Sequence, residues 1–115
     1  MSNLLISKEN AEHYIWGNKC DCWMLVDSEN LSIKQELMPV GEREKLHCHE
    51  KSQQFFFILK GEATFYVEEE IFTVIPQKGL LIKPNIKHYI ANESNEILEF
   101  LVISQPNTSK DRINI

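Results

Sequence analysis

Three histidines and one glutamine carry the chemistry this sequence offers. His47 and His49 flank Cys48, and residues two apart on an extended strand project from the same face. If that face turns inward, two neutral imidazoles stand side by side away from water, as Fe, Zn, Ni or Cu ions require. Cys48 then points the opposite way and is a poor ligand candidate despite its softness. Gln54 follows His49 after four intervening residues; on a regular strand it faces the histidines while Gln53 faces away, and a bulge would reverse that choice. His88 supplies a third imidazole far along the chain. A His-x-His pair alone is more often two solvated or hydrogen-bonded side chains, so the pattern around it has to decide.

Such side chains need a rigid frame, and the sequence reads as an all-β one. The dominant signal is alternation with period two, as in Leu31, Ile33 and Leu37 against Ser32, Lys34 and Glu36, or Glu99, Leu101 and Ile103 against Leu98, Phe100 and Val102. Ala63–Val67 and Ile71–Ile75 suggest a hairpin turning through the acidic Glu68–Glu70 corner. Many short strands with no helices between them predict a sandwich or barrel. One short helical turn is expected near the amino terminus, capped by Ser7 with Glu9 in its first turn. The chain of 115 residues is read as one domain, with a core over about 20–104 and a polar tail over 105–115.

Glycines frame the histidines: Gly41 precedes His47 by five intervening residues, Gly61 follows Gln54 by six, and Gly79 precedes His88. In this pattern the sequence resembles the cupin superfamily, small double-stranded β-helix (jelly-roll) barrels with two motifs, each framed by glycine and carrying histidine. Gly41, His47, His49 and Gly61 match the first motif, and Gly79, His88 and Asn92 the second, so the likeness covers about two-thirds of the chain. The resemblance implies a divalent metal (Fe, Zn, Ni, Mn or Cu) bound inside the barrel by His47, His49 and His88. Two positions depart from it. Gln54 stands where the family has an acidic ligand, and Lys83-Pro84-Asn85 where it has Pro-x-Gly. Asn tolerates a left-handed turn nearly as well as Gly, so the second change is mild. The first is chemical, because an amide oxygen is a neutral, weaker donor that leaves the centre formally 2+ and more attractive to anions. Alternatively Gln54 only hydrogen-bonds His47 or His88.

With Gln54 inward, Phe56 and Ile58 also face in while Phe55, Phe57 and Leu59 face out. Leaving three large apolar groups wet forgoes about 1.5–3 kcal/mol each, so something should cover them. A homodimer through this face is expected, as small cupins commonly form; another strand or the amino-terminal segment, with Trp16 or Trp23 packed there, is the alternative. Tyr14, Trp23, Met38 and Phe100 are read as pocket or core, His13 as a surface group, and Arg43 and Lys45 as a strand edge that could greet an anion.

A net charge of −5 and no basic cluster argue against nucleic acid. Apolar runs far below about 20 residues argue against a membrane span, and the absence of a signal-peptide pattern points to the cytoplasm. Cys20, Cys22 and Cys48 are expected as reduced thiols. Three functions compete. The first is metal-dependent chemistry on a small, possibly anionic molecule, dioxygenation being its leading version because neutral ligation resembles the three-histidine site of thiol dioxygenases. The others are a non-catalytic sugar or small-molecule binder, and a metal-free sugar isomerase or epimerase.

Overall fold

The computed structural model describes residues 4–115, folded as eleven strands with no helix among them. In chain order these are β1 (Glu12–Trp16), β2 (Cys20–Asp27), β3 (Ser32–Met38), β4 (His47–Cys48), β5 (Gln53–Lys60), β6 (Ala63–Val67), β7 (Glu70–Val74), β8 (Gly79–Ile82), β9 (His88–Ala91), β10 (Leu98–Gln105) and β11 (Ile113–Asn114). They form two antiparallel sheets, ordered β1-β2-β3-β10-β5-β8 and β11-β4-β9-β6-β7, the all-β architecture that the alternation predicts and the jelly roll that the resemblance implies.

Alternation sets which residues face in. Along β10, Leu98, Phe100, Val102 and Ser104 are buried, and along β5 so are Gln54, Phe56 and Ile58. Phe56 packs its ring against Phe65 and Phe100, with centroids 5.0 and 6.2 Å away, making an aromatic floor beneath the interior. The polar row of β3 also turns inward: Ser32 and Glu36 are buried, whereas Ile33 and Leu37 belong to the outer face. In register across the sheet, Ser32 opposes Ser104 and Ser104 opposes Gln54, so a polar stripe crosses three strands above the apolar core.

The expected helical turn near the amino terminus is not a helix. Ser7 does act as a cap, its hydroxyl accepting from the Glu9 amide at 3.1 Å, but the segment closes a single turn, from the Ala11 amide to the Ser7 carbonyl at 2.9 Å. One turn leaves helix nucleation unrewarded, while from Glu12 the chain gains a five-residue ladder against β2. Nor is the polar stretch after Gln105 a free tail. The Asn107 amide bonds the Glu29 carbonyl at 3.1 Å, Ser52 Oγ donates to the Pro106 carbonyl at 2.6 Å, and β11 pairs with β4. Composition misleads here because these anchors are backbone groups and short polar side chains.

Two framing glycines differ in what constrains them. Gly61 sits at φ +83°, and a Cβ there would lie 2.4 Å from the Ile97 carbonyl oxygen; Gly41 sits at φ +88° with open space around it. Gly61→Ala therefore combines left-handed strain of about 1–2 kcal/mol with a backbone clash of about 1–3 kcal/mol, and Gly41→Ala carries the strain alone. Urea unfolding should show the first variant clearly less stable than the second; equal losses would contradict the packing account.

Candidate metal centre

Strand pairing brings the three histidines together. His47 on β4 lies directly opposite His88 on β9, so both rings leave the same face of the sheet, and His49 follows two residues on. The ring centroids are 4.4 Å apart for His47 and His88, 5.0 Å for His47 and His49, and 5.7 Å for His49 and His88. One nitrogen from each ring lies within 4.8 Å of the others, and all three residues are buried. Cys48, between two of them, is not among the converging donors.

The far side of each ring is tied to a backbone carbonyl. His47 Nδ1 bonds the Lys45 carbonyl at 2.7 Å, His88 Nδ1 that of Ile86 at 2.8 Å, and His49 Nδ1 that of Asp111 at 2.5 Å. A carbonyl can only accept, so each Nδ1 carries the proton and each Nε2 keeps its lone pair for the interior. Such outer hydrogen bonds are what orients imidazoles at metal sites. His49 Nε2 is buried with no hydrogen-bond partner, a costly state for a polar atom that an ion would relieve.

Gln54 completes the group. Its Oε1 lies 3.2 Å from His88 Nε2 and its Nε2 donates to Ser104 Oγ at 3.0 Å. An amide oxygen and an unprotonated imidazole nitrogen are both acceptors, so they do not bond each other directly. Either a cation takes both lone pairs, or the amide turns over to donate to His88 while Ser104 donates to its oxygen. Gln53 faces away, bonding Gln105 and Lys83.

Burial sets the protonation states. It pushes the His47 and His88 imidazoles down to about 4, the neighbouring rings reinforcing the shift, so both are neutral donors near pH 7. A cavity of about 570 Å³ is lined by Tyr14, Trp16, Lys34, Glu36, Glu44 and Arg112 among others; none of the three histidines lines it, but Glu44 and Arg112 interact electrostatically with His88 and His47. Burial raises Glu36 to about 8 and raises Glu44 as well; Glu44 also accepts the Ile90 amide at 3.2 Å. Arg43 and Lys45 line the same opening. None of Glu36, Glu44, Asp111 and Arg112 stood out in the sequence. The inward phase of β3 was the one signal available for Glu36; Asp111 and Arg112 lie in a stretch whose composition reads as solvent-exposed.

Other expectations resolve simply. Tyr89 points away from the centre and stacks on Tyr66, with centroids 4.6 Å apart. His13 sits on the outer surface, bonded to Asp21 at 2.8 Å and packed against Trp23. Met38 and Phe100 are core, and Tyr14 lines the cavity. Asn85 takes φ +68°, the left-handed conformation expected of it, and its amide bonds the His49 carbonyl at 2.6 Å.

Two antiparallel sheets closed around a buried imidazole triad define a class, the jelly-roll barrels with an interior site. Residues 34–104 match the family described as Cupin_2, Cupin domain, and the chain belongs to that family. It is 31% identical over 84 residues to the uncharacterized protein MJ1618 of Methanocaldococcus jannaschii, spanning 73% of this chain and 67% of that one. An RmlC-like cupin with a double-stranded β-helix fold from the same organism superposes with a TM-score of 0.71 at 25% identity, over 86% of this chain and 93% of its own. A predicted oxalate decarboxylase from Thermotoga maritima superposes at 0.83 with 18% identity, over 90% and 100%, a likeness of fold alone.

The buried groups predict how stability follows pH when metal is chelated. Between pH 4 and 6.5 the unfolded imidazoles take protons that folded His47 and His88 refuse, so stability rises with pH there. From pH 4.5 to about 8 folded Glu36 keeps a proton the unfolded chain has lost, so that contribution falls as pH rises. Above pH 6.5 only the carboxyls still act, and stability should drop by roughly 2 kcal/mol by pH 8. Thermal melts of Glu36→Gln should show a flatter decline over that range; an unchanged slope would refute the assignment.

Proposed function

We propose that this chain is a single-domain, metal-binding cupin in which His47, His49 and His88 hold one divalent transition ion, with Gln54 as a neutral fourth donor, and that its barrel acts on a small anionic molecule. The observation behind this reading is the unpartnered, buried Nε2 of His49 facing two other imidazoles whose outer nitrogens are tied to backbone carbonyls. Neutral nitrogen donors suit Fe, Ni, Zn, Cu or Mn less selectively than they suit binding itself, so the ion's identity is left to analysis. Such an ion would supply Lewis acidity or, if iron, dioxygen chemistry, with dioxygenation the leading version. The chain's own residues orient the donors, exclude bulk water with Phe56 and Phe65, and leave the centre's charge uncancelled. Imidazoles held near pH 4 are weak bases, which disfavours a metal-free isomerase worked by His47 or His88. A non-catalytic binder is the alternative that an inert but metal-loaded or ligand-loaded protein would support.

The same reading includes a cytoplasmic location, in keeping with three buried free thiols, and a homodimer. No helix of the described residues is long and apolar enough to cross a membrane. Support for the dimer comes from the outer face: Phe55 and Leu81 are 36% and 51% exposed, and register places them in one row with Ile33 and Ile103. Among the described residues, the amino-terminal segment reaches β2 and the start of β10 instead, where Lys8 stands over Trp23 and pairs with Glu99.

Elemental analysis of untagged protein should find about one equivalent of a divalent transition metal, lost in His47→Gln; a metal-free native preparation that also takes up none on titration rejects the centre. Gln54→Glu should tighten binding at least tenfold in a competition titration, and unchanged affinity would mean Gln54 is not a ligand. Oxygen consumption with thiols or diketones would support dioxygenation. Phe57→Glu should sediment as a folded monomer; a folded dimer would exclude this interface.

A further inference from the structure

Near the histidines lie cationic side chains that take part in no close ion pair. Lys34 and Glu36 enter the 570 Å³ cavity from β3, Glu44 from the segment leading into β4, and Arg112 from the residue before β11. Among the described residues, the side-chain ion pairs within 4.0 Å are Lys8 with Glu99 and His13 with Asp21, and neither Lys34 nor Arg112 belongs to one. Arg112 spends its Nε on Asn114 Oδ1 at 2.9 Å, which fixes the guanidinium and leaves its terminal nitrogens available. Glu36 is only 7% exposed, and its carboxyl lies beside the Trp16 indole. The buried Trp16 indole N–H, close enough to favour ionisation of Glu36, lacks an aligned partner. Two open cations, a buried carboxyl and an unpartnered indole thus share one wall-to-wall space.

We propose that this cavity binds a small monocarboxylic acid, its carboxylate held by Arg112 and Lys34 and a neighbouring carbonyl or hydroxyl oxygen hydrogen-bonded by Glu36 and Trp16. A planar guanidinium matches a carboxylate in two-point contact, and Lys34 adds charge without fixed geometry. The other acidic side chains of the lining, Glu42 and Glu44, disfavour a dianion such as phosphate. Glu36, held protonated near neutral pH by its burial, is a donor there and not a repelling charge. Tyr14 and the Trp16 ring give the ligand's carbon skeleton an apolar wall. None of these residues is one of the histidine ligands. The proposal rests on the reading of the barrel as a small-molecule site and names the substrate class for it.

The test is an NMR titration of the full chain with pyruvate, lactate, glycerate and gluconate, each beside its neutral amide, following the Trp16 indole and Arg112 Nε signals. At least one acid should give saturable shifts and bind at least tenfold more tightly than its amide. Arg112→Gln and Lys34→Gln should each weaken that acid at least tenfold; the comparison of acid with amide on the unaltered protein stands even if a variant misfolds. Absence of binding by every acid, equal binding of acid and amide, or unchanged affinity in both folded variants would overturn the proposal. Metal titration of the unaltered protein separates the two readings. Acid binding in a protein that takes up no metal leaves this site standing and removes the centre, whereas metal uptake without acid binding does the reverse.

Discussion

The interior depends on three bonds that never touch its centre: each histidine's Nδ1 gives its proton to a main-chain carbonyl, of Lys45, Asp111 or Ile86. A ring held at one nitrogen by the backbone can neither rotate nor change tautomer without breaking a buried hydrogen bond, so the other nitrogen is aimed. Each of these carbonyls lies two residues ahead of a strand, in the segment leading into β4, β9 or β11. The barrel therefore does more than enclose the imidazoles; through β4, β9 and the ribbon that ends in β11 it fixes which atom each presents.

Around that centre the barrel divides into a dry half and a wet half. Phe56, Phe65, Phe100, Met38 and Ile58 fill one with apolar volume. The other is lined by Ser32, Gln54, Ser104, Glu36 and the histidines, all buried and polar. Burying polar groups is costly unless they are satisfied or used. Gln54 and Ser104 satisfy each other, whereas the Ser32 hydroxyl, the Trp16 indole N–H and His49 Nε2 do not find aligned partners among the described residues. That contrast sets the polar half apart from the apolar core.

Much of this was legible from residue order. Two histidines at period two, a third framed by glycine, and an asparagine standing in for glycine at Asn85 all appear where the spacing put them, because strand geometry is rigid enough to convert sequence distance into direction. Alternation in β3 was equally clear, but alternation says only that two faces differ. Ile33 and Leu37 face outward because the outer face of this sheet is itself apolar, which no local pattern declares. Asp111 and Arg112 were invisible for another reason: they reach the site across some sixty residues of chain, through contacts that depend on closure and not on neighbours.

The Asp111 clasp has a kinetic consequence. Its carbonyl holds His49 while its carboxylate accepts the amides of Glu50, Lys51 and Ser52 at 2.8–3.0 Å, so one residue latches a ring and the loop behind it. The segment around it bonds mainly through exposed groups and buries little apolar surface, the profile of a region that opens locally long before the sheets separate. Fraying there frees a donor nitrogen and a guanidinium in the same event, while the barrel stays shut. Exchange of any ion or small molecule held in the interior would then be paced by the breathing of one terminal ribbon rather than by the lifetime of the fold.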